Sequence, residues 1–235
     1  NLNLHISEGD FVTIIGGNGA GKSTLLNVIA GVYMPEEGEI LLAGEDITRM
    51  PEYKRAAFLG RVFQDPLMGT AADMEIIENL AIANRRGKRR GLSWGVTREE
   101  KEKFREALKI LGLGLENRLH DKVGLLSGGQ RQALALLMAT IQKPKLLLLD
   151  EHTAALDPKT AIKVLELTQE IAEKNRLTTL MVTHSMKDAI KYGNRLIMMN
   201  KGEIVYDVPG EEKKNLKVTD LLDKFGSFSD RMLLA

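Results

Sequence analysis

The chain has 235 residues, 43% of them hydrophobic and 28% charged, a balance typical of a folded globular protein rather than a disordered one. Its 33 Lys and Arg residues nearly cancel its 32 acidic residues, so the charge does not favour a protein that coats nucleic acid. The absence of cysteine excludes disulfides and thiolate metal sites, and no apolar run approaches the ~20 residues that a membrane-spanning helix needs.

The first part of the chain predicts a strand followed by a helix. Residues 1 to 6 alternate polar and apolar side chains like a strand already in progress, and the chain opens on Asn1 rather than Met. We therefore expect a further segment before residue 1. Residues 11 to 15 are a β-rich run typical of a buried strand. Residues 23 to 30 carry apolar side chains at helical spacing and end at Gly31, a typical helix C-cap.

Between this strand and this helix lies a phosphate-binding pattern, G-x-x-x-x-G-K-S/T. Glycines let backbone N–H groups approach phosphates, and the following helix adds the positive end of its dipole. Lys22 is suited to the β- and γ-phosphates, and Ser23 to Mg²⁺. A glycine-rich turn can match the pattern by chance, but the strand and helix flanks favour ATP binding. The residues predicted to bind ATP are Gly16, Gly17, Asn18, Gly19, Ala20, Gly21, Lys22, Ser23 and Thr24.

The middle of the chain predicts strands at residues 38 to 43 and 61 to 63, and a short helix at about 73 to 84. Thr97 and Glu100 have capping-box spacing and open a helix to about Leu111. The basic run at residues 85 to 90 has three interpretations. It is a solvated surface loop, a contact with anionic lipid headgroups or a contact with nucleic acid, and the neutral chain makes the last the least favoured.

A second anion-binding helix start is predicted at residues 126 to 130, before an apolar helix at 131 to 140. Ser127 is suited to cap that helix, and its two following glycines free the backbone to approach an anion. A plain turn with a helix cap is the alternative. A second site far from the first makes sense if it serves a nucleotide held by another subunit.

Two acids, Asp150 and Glu151, follow the aliphatic strand predicted at residues 145 to 150. The carboxyl end of a central strand is where α/β folds bind ligands. Asp150 is suited to hold Mg²⁺, and Glu151 to polarise an attacking water as a general base. Apolar strands also end in acids without any function, but the phosphate-binding loop favours the functional interpretation.

The last third predicts a helix capped by Asp157 and opened by Pro158, which runs to about Lys174. Strands follow at residues 178 to 183 and 196 to 199, then a hairpin turn at 200 to 202 into a strand at 204 to 206. The tail, at 218 to 225, predicts a short amphipathic helix. Strands that alternate with helices indicate a mostly parallel, covered sheet.

Over nearly the whole chain these motifs resemble those of the ATP-binding cassette (ABC) ATPases. The family pattern places a glutamine after the third strand, a histidine after a late strand and an aspartate past the catalytic acid, which Gln64, His184 and Asp157 supply. The resemblance implies one α/β domain over residues 1 to 235 with a P-loop NTPase (RecA-like) core. It also implies a mostly parallel sheet, an antiparallel β portion and a helical signature subdomain. Residues 1 to 64 and 126 to 235 would form the core, and 65 to 125 the helical subdomain.

The same resemblance implies roles for the site residues. Glu151, His184 and Gln64 would be catalytic, with His184 at the γ-phosphate and Gln64 at Mg²⁺ or the lytic water. Without the other motifs, His184 would be a core histidine at a strand end. Asp157 would cap its helix and also touch the dimer partner. The implied Mg²⁺ ligands are Ser23, Gln64 and Asp150, and the signature residues that act in trans are Leu126, Ser127, Gly128, Gly129 and Gln130.

Two positions depart from the family pattern. His152 stands where many members have proline, and it could be mistaken for the switch histidine. The family's adenine-stacking aromatic is not found upstream of the loop, where Phe11 is expected to pack in the core. We expect that aromatic in a preceding segment, and we expect weaker ATP binding without it.

The resemblance implies the function and the partners as well. We expect an ATP-hydrolysing subunit that powers a bacterial importer of small, amino-acid-like solutes, with ATP and Mg²⁺ as cofactors. It would form a head-to-tail homodimer, bind separate transmembrane permease subunits on the cytoplasmic face of the membrane, and work with an extracytoplasmic solute-binding protein but without nucleic acid. The alternatives are an ABC ATPase of translation or DNA maintenance, and a P-loop kinase, against which the signature segment and His184 argue.

Overall fold

A six-stranded sheet forms the centre of the molecule, with the strand order β4-β5-β6-β1-β7-β8. The computed structural model describes residues 2 to 88 and 95 to 233. Five strands of the sheet run parallel, and β8 pairs with β7 in the antiparallel sense. The strands are β1 Phe11–Ile15, β2 Leu41–Leu42, β3 Glu45–Asp46, β4 Leu59–Val62, β5 Leu146–Asp150, β6 Thr179–Val182, β7 Arg195–Asn200 and β8 Glu203–Pro209.

Helices cover both faces of this sheet, as the buried aliphatic runs of β1, β5 and β6 require. They are α1 Lys22–Ala30, α2 Glu52–Arg55, α3 Ile76–Asn84, α4 Arg98–Lys109, α5 Gly128–Thr140, α6 Pro158–Asn175, α7 Met186–Lys191, α8 Gly210–Lys214 and α9 Val218–Leu233. Short 3-10 turns occupy Pro66–Gly69, Leu115–Asn117 and Val123–Leu125. None of the described helices combines the length and the apolar composition needed to cross a bilayer.

The α/β class, the mostly parallel sheet and the antiparallel part are confirmed. A separate apolar cluster joins α3, α4 and α5 around Phe104, Leu108 and Leu134, which are fully buried. The predicted helical subdomain at residues 65 to 125 contributes most of this cluster, although its boundaries stay a prediction. The cluster connects that region to α5, the helix that begins at the predicted signature segment.

Several predicted strands and helices have other bounds in the structure, and one predicted strand is not formed over the described residues. Residues 2 to 6 form no strand, although Leu2, Leu4 and Ile6 still pack against the core. The alternation of apolar and polar residues there reflects which side chains are buried, and not the pairing of a strand with a neighbour. The strand predicted at 38 to 43 shrinks to β2, because Ala43 turns the chain with a positive φ of 51° into β3. The tail helix α9 continues well beyond residue 225.

Helix α3 begins at Ile76 rather than near residue 73. Glu75 takes the N-cap position, and its backbone N–H donates to the Glu78 carboxylate at 2.7 Å in a capping box. The capping box predicted for Thr97 and Glu100 is confirmed, and it opens α4. In α3 and α4, local side-chain chemistry therefore sets where the helix begins.

The basic run is not a solvated loop at its start. Arg85 forms an ion pair with Glu100, Nη2 to Oε2, at 2.9 Å. Arg86 is half-buried and donates to the Ala139 carbonyl oxygen at 2.9 Å. Lys88 is exposed, and Arg89 and Arg90 lie outside the described residues. Arg85 therefore joins the end of α3 to α4, and Arg86 joins it to the end of α5.

Two buried cations each join segments that lie apart in the sequence. Arg55 is fully buried and donates to the carbonyl oxygens of Val28, Ile29, Thr48 and Met50 at 2.7 to 2.9 Å. A cation suits the carbonyl-rich C-terminus of α1 because it complements the helix dipole.

Lys213 is the second buried cation, and it lies on α8. Its Nζ donates to the Tyr192 and Gly193 carbonyl oxygens and to Thr13 Oγ1. Burial lowers the pKa of Lys213 to about 8. The segment after β8 is thereby tied to the strand that precedes the phosphate-binding loop.

Candidate active site

The phosphate-binding loop and the predicted catalytic residues lie at the carboxyl edge of four neighbouring strands. Val62 pairs with Leu149, and Asp150 pairs with Val182, so Gln64, Glu151 and His184 all follow strand ends that lie side by side. Strand β1, which ends at the phosphate-binding loop, is the next neighbour of β6. Ligands of open α/β sheets bind in the crevice outside these strand ends.

Two glycines, Gly16 and Gly21, allow the loop at residues 16 to 23 to adopt its backbone course. A Cβ atom on Gly16 would lie 2.4 Å from the Met199 carbonyl oxygen, because the loop crosses β7 closely. Gly21 caps α1 with a φ of 96°, a conformation that favours glycine. The first turn of α1 thus follows the loop directly, which leaves backbone N–H groups free for an anion.

Lys22 lies buried at the base of this loop. Its Nζ donates to the Gly16 carbonyl oxygen at 2.8 Å and to the Gly17 carbonyl oxygen at 3.1 Å. Burial lowers the pKa of Lys22, while the nearby carboxylates of Glu151 and Asp150 act in the opposite direction. Two neutral acceptors are weak partners for a buried ammonium, so the loop is arranged to accept a stronger anionic partner.

Ser23 and Asp150 bring two oxygen donors together, with Ser23 Oγ 3.4 Å from Asp150 Oδ1. A hydroxyl and a carboxylate oxygen are the ligand types that Mg²⁺ prefers, and Mg²⁺ is usually held by few protein ligands and by substrate phosphates. The donor set therefore fits this ion. Across the described residues, no cluster of three His, Asp or Glu side chains offers a larger metal site.

Arg61, on β4, is a site residue that the sequence analysis missed. Its Nη2 lies 3.9 Å from Asp150 Oδ2 and donates to Asn27 Oδ1 at 2.6 Å. Its guanidinium also stacks on the Phe63 ring, with the Cζ atom 4.6 Å from the ring centre. The signal in the sequence was a single charge inside an otherwise apolar strand.

Glu151 and His184 form a direct pair, with His184 Nε2 2.6 Å from Glu151 Oε1. The glutamate side chain is mostly buried, whereas the imidazole is half exposed. Glu151 has a positive φ of 47°, and its backbone N–H donates to the Val182 carbonyl oxygen at 3.0 Å. A left-handed glutamate is uncommon, and such backbone strain clusters at functional sites.

Two further residues that follow these strands, Gln64 and His152, differ in their exposure to solvent. Gln64 is exposed after β4, at the same edge as the acids. His152 is buried, and its Nε2 lies 3.1 Å from Thr168 Oγ1. Burial lowers the pKa of His152 to about 4, so it is a neutral core histidine and does not take part in the crevice.

The predicted signature segment lies at the start of α5. Ser127 and Gln130 form a reciprocal capping box, with backbone-to-side-chain distances of 3.1 and 3.3 Å. A Cβ atom on Gly129 would lie 2.1 Å from Thr160 Cγ2, so α5 and α6 touch at this residue. Among the described residues, neither Ser127 nor Gln130 hydrogen-bonds the phosphate-binding loop. The two anion-binding helix starts are separate.

Asp157 caps α6, as predicted, by accepting a hydrogen bond from the Thr160 backbone N–H at 3.1 Å. Hydrogen bonds from Thr160 hold the pKa of Asp157 below its ordinary value. Because Leu156 Cδ2 lies 3.4 Å from where a Gly128 Cβ atom would be, this loop adjoins the signature segment. The cap is observed, and the expected contact with a partner subunit stays a prediction.

Comparisons with known proteins give matches along most of the chain. Residues 1 to 154 match the family described as ABC transporter. The chain is 50% identical to a tyrosine transport ATP-binding protein of Clostridioides difficile over 225 residues, 96% of this chain and 89% of that protein. It is 36% identical to a spermidine/putrescine import ATP-binding protein of Pasteurella multocida, covering 99% of this chain but only 61% of that protein.

A solved structure of an ATP-binding cassette is similar in fold as well. It is a dimer in a post-hydrolysis state bound to ADP and Pi, and it is 32% identical to this chain. The alignment covers 89% of both chains, with a TM-score of 0.75.

Proposed function

The chain belongs to the ABC transporter family and is an ABC ATPase domain, and on that premise we propose that it powers a bacterial importer of amino-acid-like solutes. The observation that carries the proposal is the convergence of a buried lysine, two oxygen donors and the Glu151–His184 pair at one sheet edge. The substrate class is supported by the 50% identity to a protein named for tyrosine transport.

In this proposal the loop and Lys22 bind the phosphates of ATP. Lys22 Nζ exchanges its two carbonyl acceptors for phosphate oxygens, which are stronger partners for a buried ammonium. Ser23 and Asp150 hold Mg²⁺, which when bound neutralises charge on the phosphate oxygens. Gln64, exposed at the same edge, would be the third protein ligand of Mg²⁺.

Glu151 is the general base in this proposal. Its carboxylate is held toward the crevice by the hydrogen bond from His184 Nε2, so it is placed to take a proton from an attacking water. The half-exposed imidazole of His184 is then free to move between Glu151 and the γ-phosphate. Without the hydrogen bond from His184, the Glu151 carboxylate would sample other rotamers and would no longer be held in place to accept the proton.

The dimer and the membrane partner follow from the surface around this site. The signature segment at residues 126 to 130 lies apart from the loop of its own chain, so we propose that it closes over the nucleotide of a second copy, head to tail. Separate permease subunits are proposed to dock near Leu67 and Met68, which follow Gln64 and are 48% and 69% exposed. The subunit would then sit on the cytoplasmic face of the membrane, with a solute-binding protein opposite.

The hydrolysis step is tested with Glu151→Gln. This variant keeps the side-chain volume but removes the proton acceptor, so we expect ATP binding to remain while phosphate release falls about 100-fold or more. Glu166→Gln, an exposed change on α6, is the matched control. A Glu151→Gln protein that releases phosphate at the normal rate would overturn the base assignment.

The transport role is tested by co-expression of this chain with candidate permease subunits and a candidate solute-binding protein. ATP-dependent uptake of tyrosine into proteoliposomes, lost with Glu151→Gln, is the expected result. Uptake of spermidine instead would overturn the amino-acid-like substrate. Co-purification with ribosomes or DNA and without a permease would favour an ABC ATPase of translation or DNA maintenance.

A further inference from the structure

Phe63, the residue before Gln64, is held by two side chains from different parts of the molecule. Gln132 Nε2 donates to the Phe63 carbonyl oxygen at 3.1 Å. Arg61 stacks on the Phe63 ring at 4.6 Å. The peptide group that leads into Gln64 is thus fixed on its carbonyl side, and the preceding ring is fixed on its face.

Gln132 belongs to α5, within the first turns after the signature segment. Its side chain is fully buried, so the hydrogen bond to Phe63 is shielded from water. Helix α5 also touches α6 through Gly129 and Thr160. Since a helix turn is stiff, a displacement of the signature segment moves Gln132 and the peptide that it holds.

Arg61 connects the same residue to the nucleotide side of the crevice. Its guanidinium bonds Asn27 on α1, the helix that follows the phosphate-binding loop, and approaches Asp150. Phe63 therefore lies between the helix that begins at the signature segment and the helix that begins at the phosphate-binding loop.

The chemistry of Gln132 argues against a purely structural role. Its Oε1 is buried and has no hydrogen-bond partner among the described residues. A buried amide that is only half satisfied is less favourable than an apolar side chain of the same volume. A residue selected for packing alone would be apolar here, so the donor to Phe63 is what the position requires.

Resting on the proposed ATPase function, we propose that Gln132 is a positioning residue for Gln64. It holds the Phe63–Gln64 peptide from the signature helix, while Arg61 holds the Phe63 ring from the nucleotide side. Engagement of residues 126 to 130 with the nucleotide of a second copy is thereby transmitted to the Gln64 of the first.

The test is Gln132→Met, which keeps the volume and removes the donor, measured alone and combined with Gln64→Ala. If Gln132 acts through Gln64, Gln132→Met lowers kcat about 10-fold in the wild-type background and less than about twofold beside Gln64→Ala. An equal loss in both backgrounds, or no loss in either, overturns the proposal. Thr140→Val, at the far end of the same helix, is the matched control and leaves kcat unchanged.

A binding measurement keeps the outcome separate from hydrolysis. In a Glu151→Gln background, the affinity for ATP is measured by calorimetry at increasing Mg²⁺ concentrations, with and without Gln132→Met. The expected result is a several-fold smaller enhancement of ATP affinity by Mg²⁺ when Gln132 is replaced. An unchanged enhancement overturns the proposal. A wild-type protein that binds ATP with Mg²⁺ but never hydrolyses it would instead contradict the proposed function, and this measurement would still decide the role of Gln132.

Discussion

His184 Nε2 lies 2.6 Å from Glu151 Oε1, so the histidine two residues after β6 is joined to the acid directly after β5. This distance requires a hydrogen on Nε2 when the carboxylate is ionised. The contact joins a mostly buried acid to a half-exposed ring. The two residues therefore act as one unit at the edge of the crevice.

Replacing His184 by Ala is expected to lower kcat by about 10- to 100-fold, because Glu151 loses the hydrogen bond that orients it. ATP affinity should change little, since Lys22 and the loop remain. Phosphate release and equilibrium ATP binding measure the two effects. The control is His5→Ala, whose exposed side chain lies far from the crevice in sequence and whose backbone carbonyl keeps its bond to Arg195. An unchanged kcat in His184→Ala would contradict the role.

Lys22→Ala is expected to weaken ATP binding at least about 10-fold, a loss of about 1.4 kcal/mol or more. The ammonium is buried among loop carbonyl oxygens, and no other described cation hydrogen-bonds Gly16 or Gly17. Binding of a fluorescent ATP analogue measures the change. Lys54→Ala, an exposed change on α2, should bind as the wild type does. Equal affinities for Lys22→Ala and Lys54→Ala would refute the assignment.

Arg55→Met is expected to lower the free energy of unfolding by about 2 to 4 kcal/mol, because several buried carbonyl oxygens lose their donor together. Urea unfolding followed by circular dichroism gives the value. Arg49→Met is the matched control, since Arg49 is exposed and makes one long bond to the Pro35 carbonyl oxygen. Similar losses for both variants would show that the buried network adds no stability.

The stability of the protein should rise with pH through the range set by Lys213. Burial lowers the pKa of Lys213 to about 8, from 10.5 when the chain is unfolded. Between these values the unfolded chain binds the proton and the folded chain does not, so the free energy of unfolding increases as pH rises. Below pH 8 both states are protonated and this contribution is constant.

The check is urea unfolding at pH 7.5 and pH 10 for the wild type, Lys213→Met and Lys214→Met. Lys213→Met should remove about 1 to 3 kcal/mol of the pH-dependent gain. Lys214→Met is exposed and should retain the gain. Parallel pH profiles for all three proteins would contradict the buried titration of Lys213.

Much of the fold was predictable because local chemistry fixes it. The bounds of β1 are those predicted at residues 11 to 15, and Asp157 and Pro158 start α6 as expected. The phosphate-binding loop was predictable from its motif and its strand and helix flanks, although the contact that requires glycine at position 16 is with Met199, far away in sequence. The strand expected over residues 2 to 6 was wrong because burial alternates there without a pairing partner.

The remaining features depend on contacts between residues distant in sequence. Nothing local distinguishes Arg86, which bonds Ala139, from a solvated cation, and Arg55 is equally ordinary in its own segment. The Glu151–His184 contact and the hydrogen bond from Gln132 to Phe63 can be recognised only when the order of the strands in the sheet is known. Sequence motifs predicted which residues share the crevice, but not which of them touch.

The strand order has a consequence for synthesis of the chain. Strand β1 is made first, yet its neighbours in the sheet are β6 and β7, which are made late. Until then the five buried residues of β1 have no strand to pair with, and the phosphate-binding loop has no surface to rest on. Sheets closed by such distant contacts form slowly and expose apolar strands meanwhile. A chain truncated before residue 200 should therefore aggregate rather than fold into an enzyme of reduced activity.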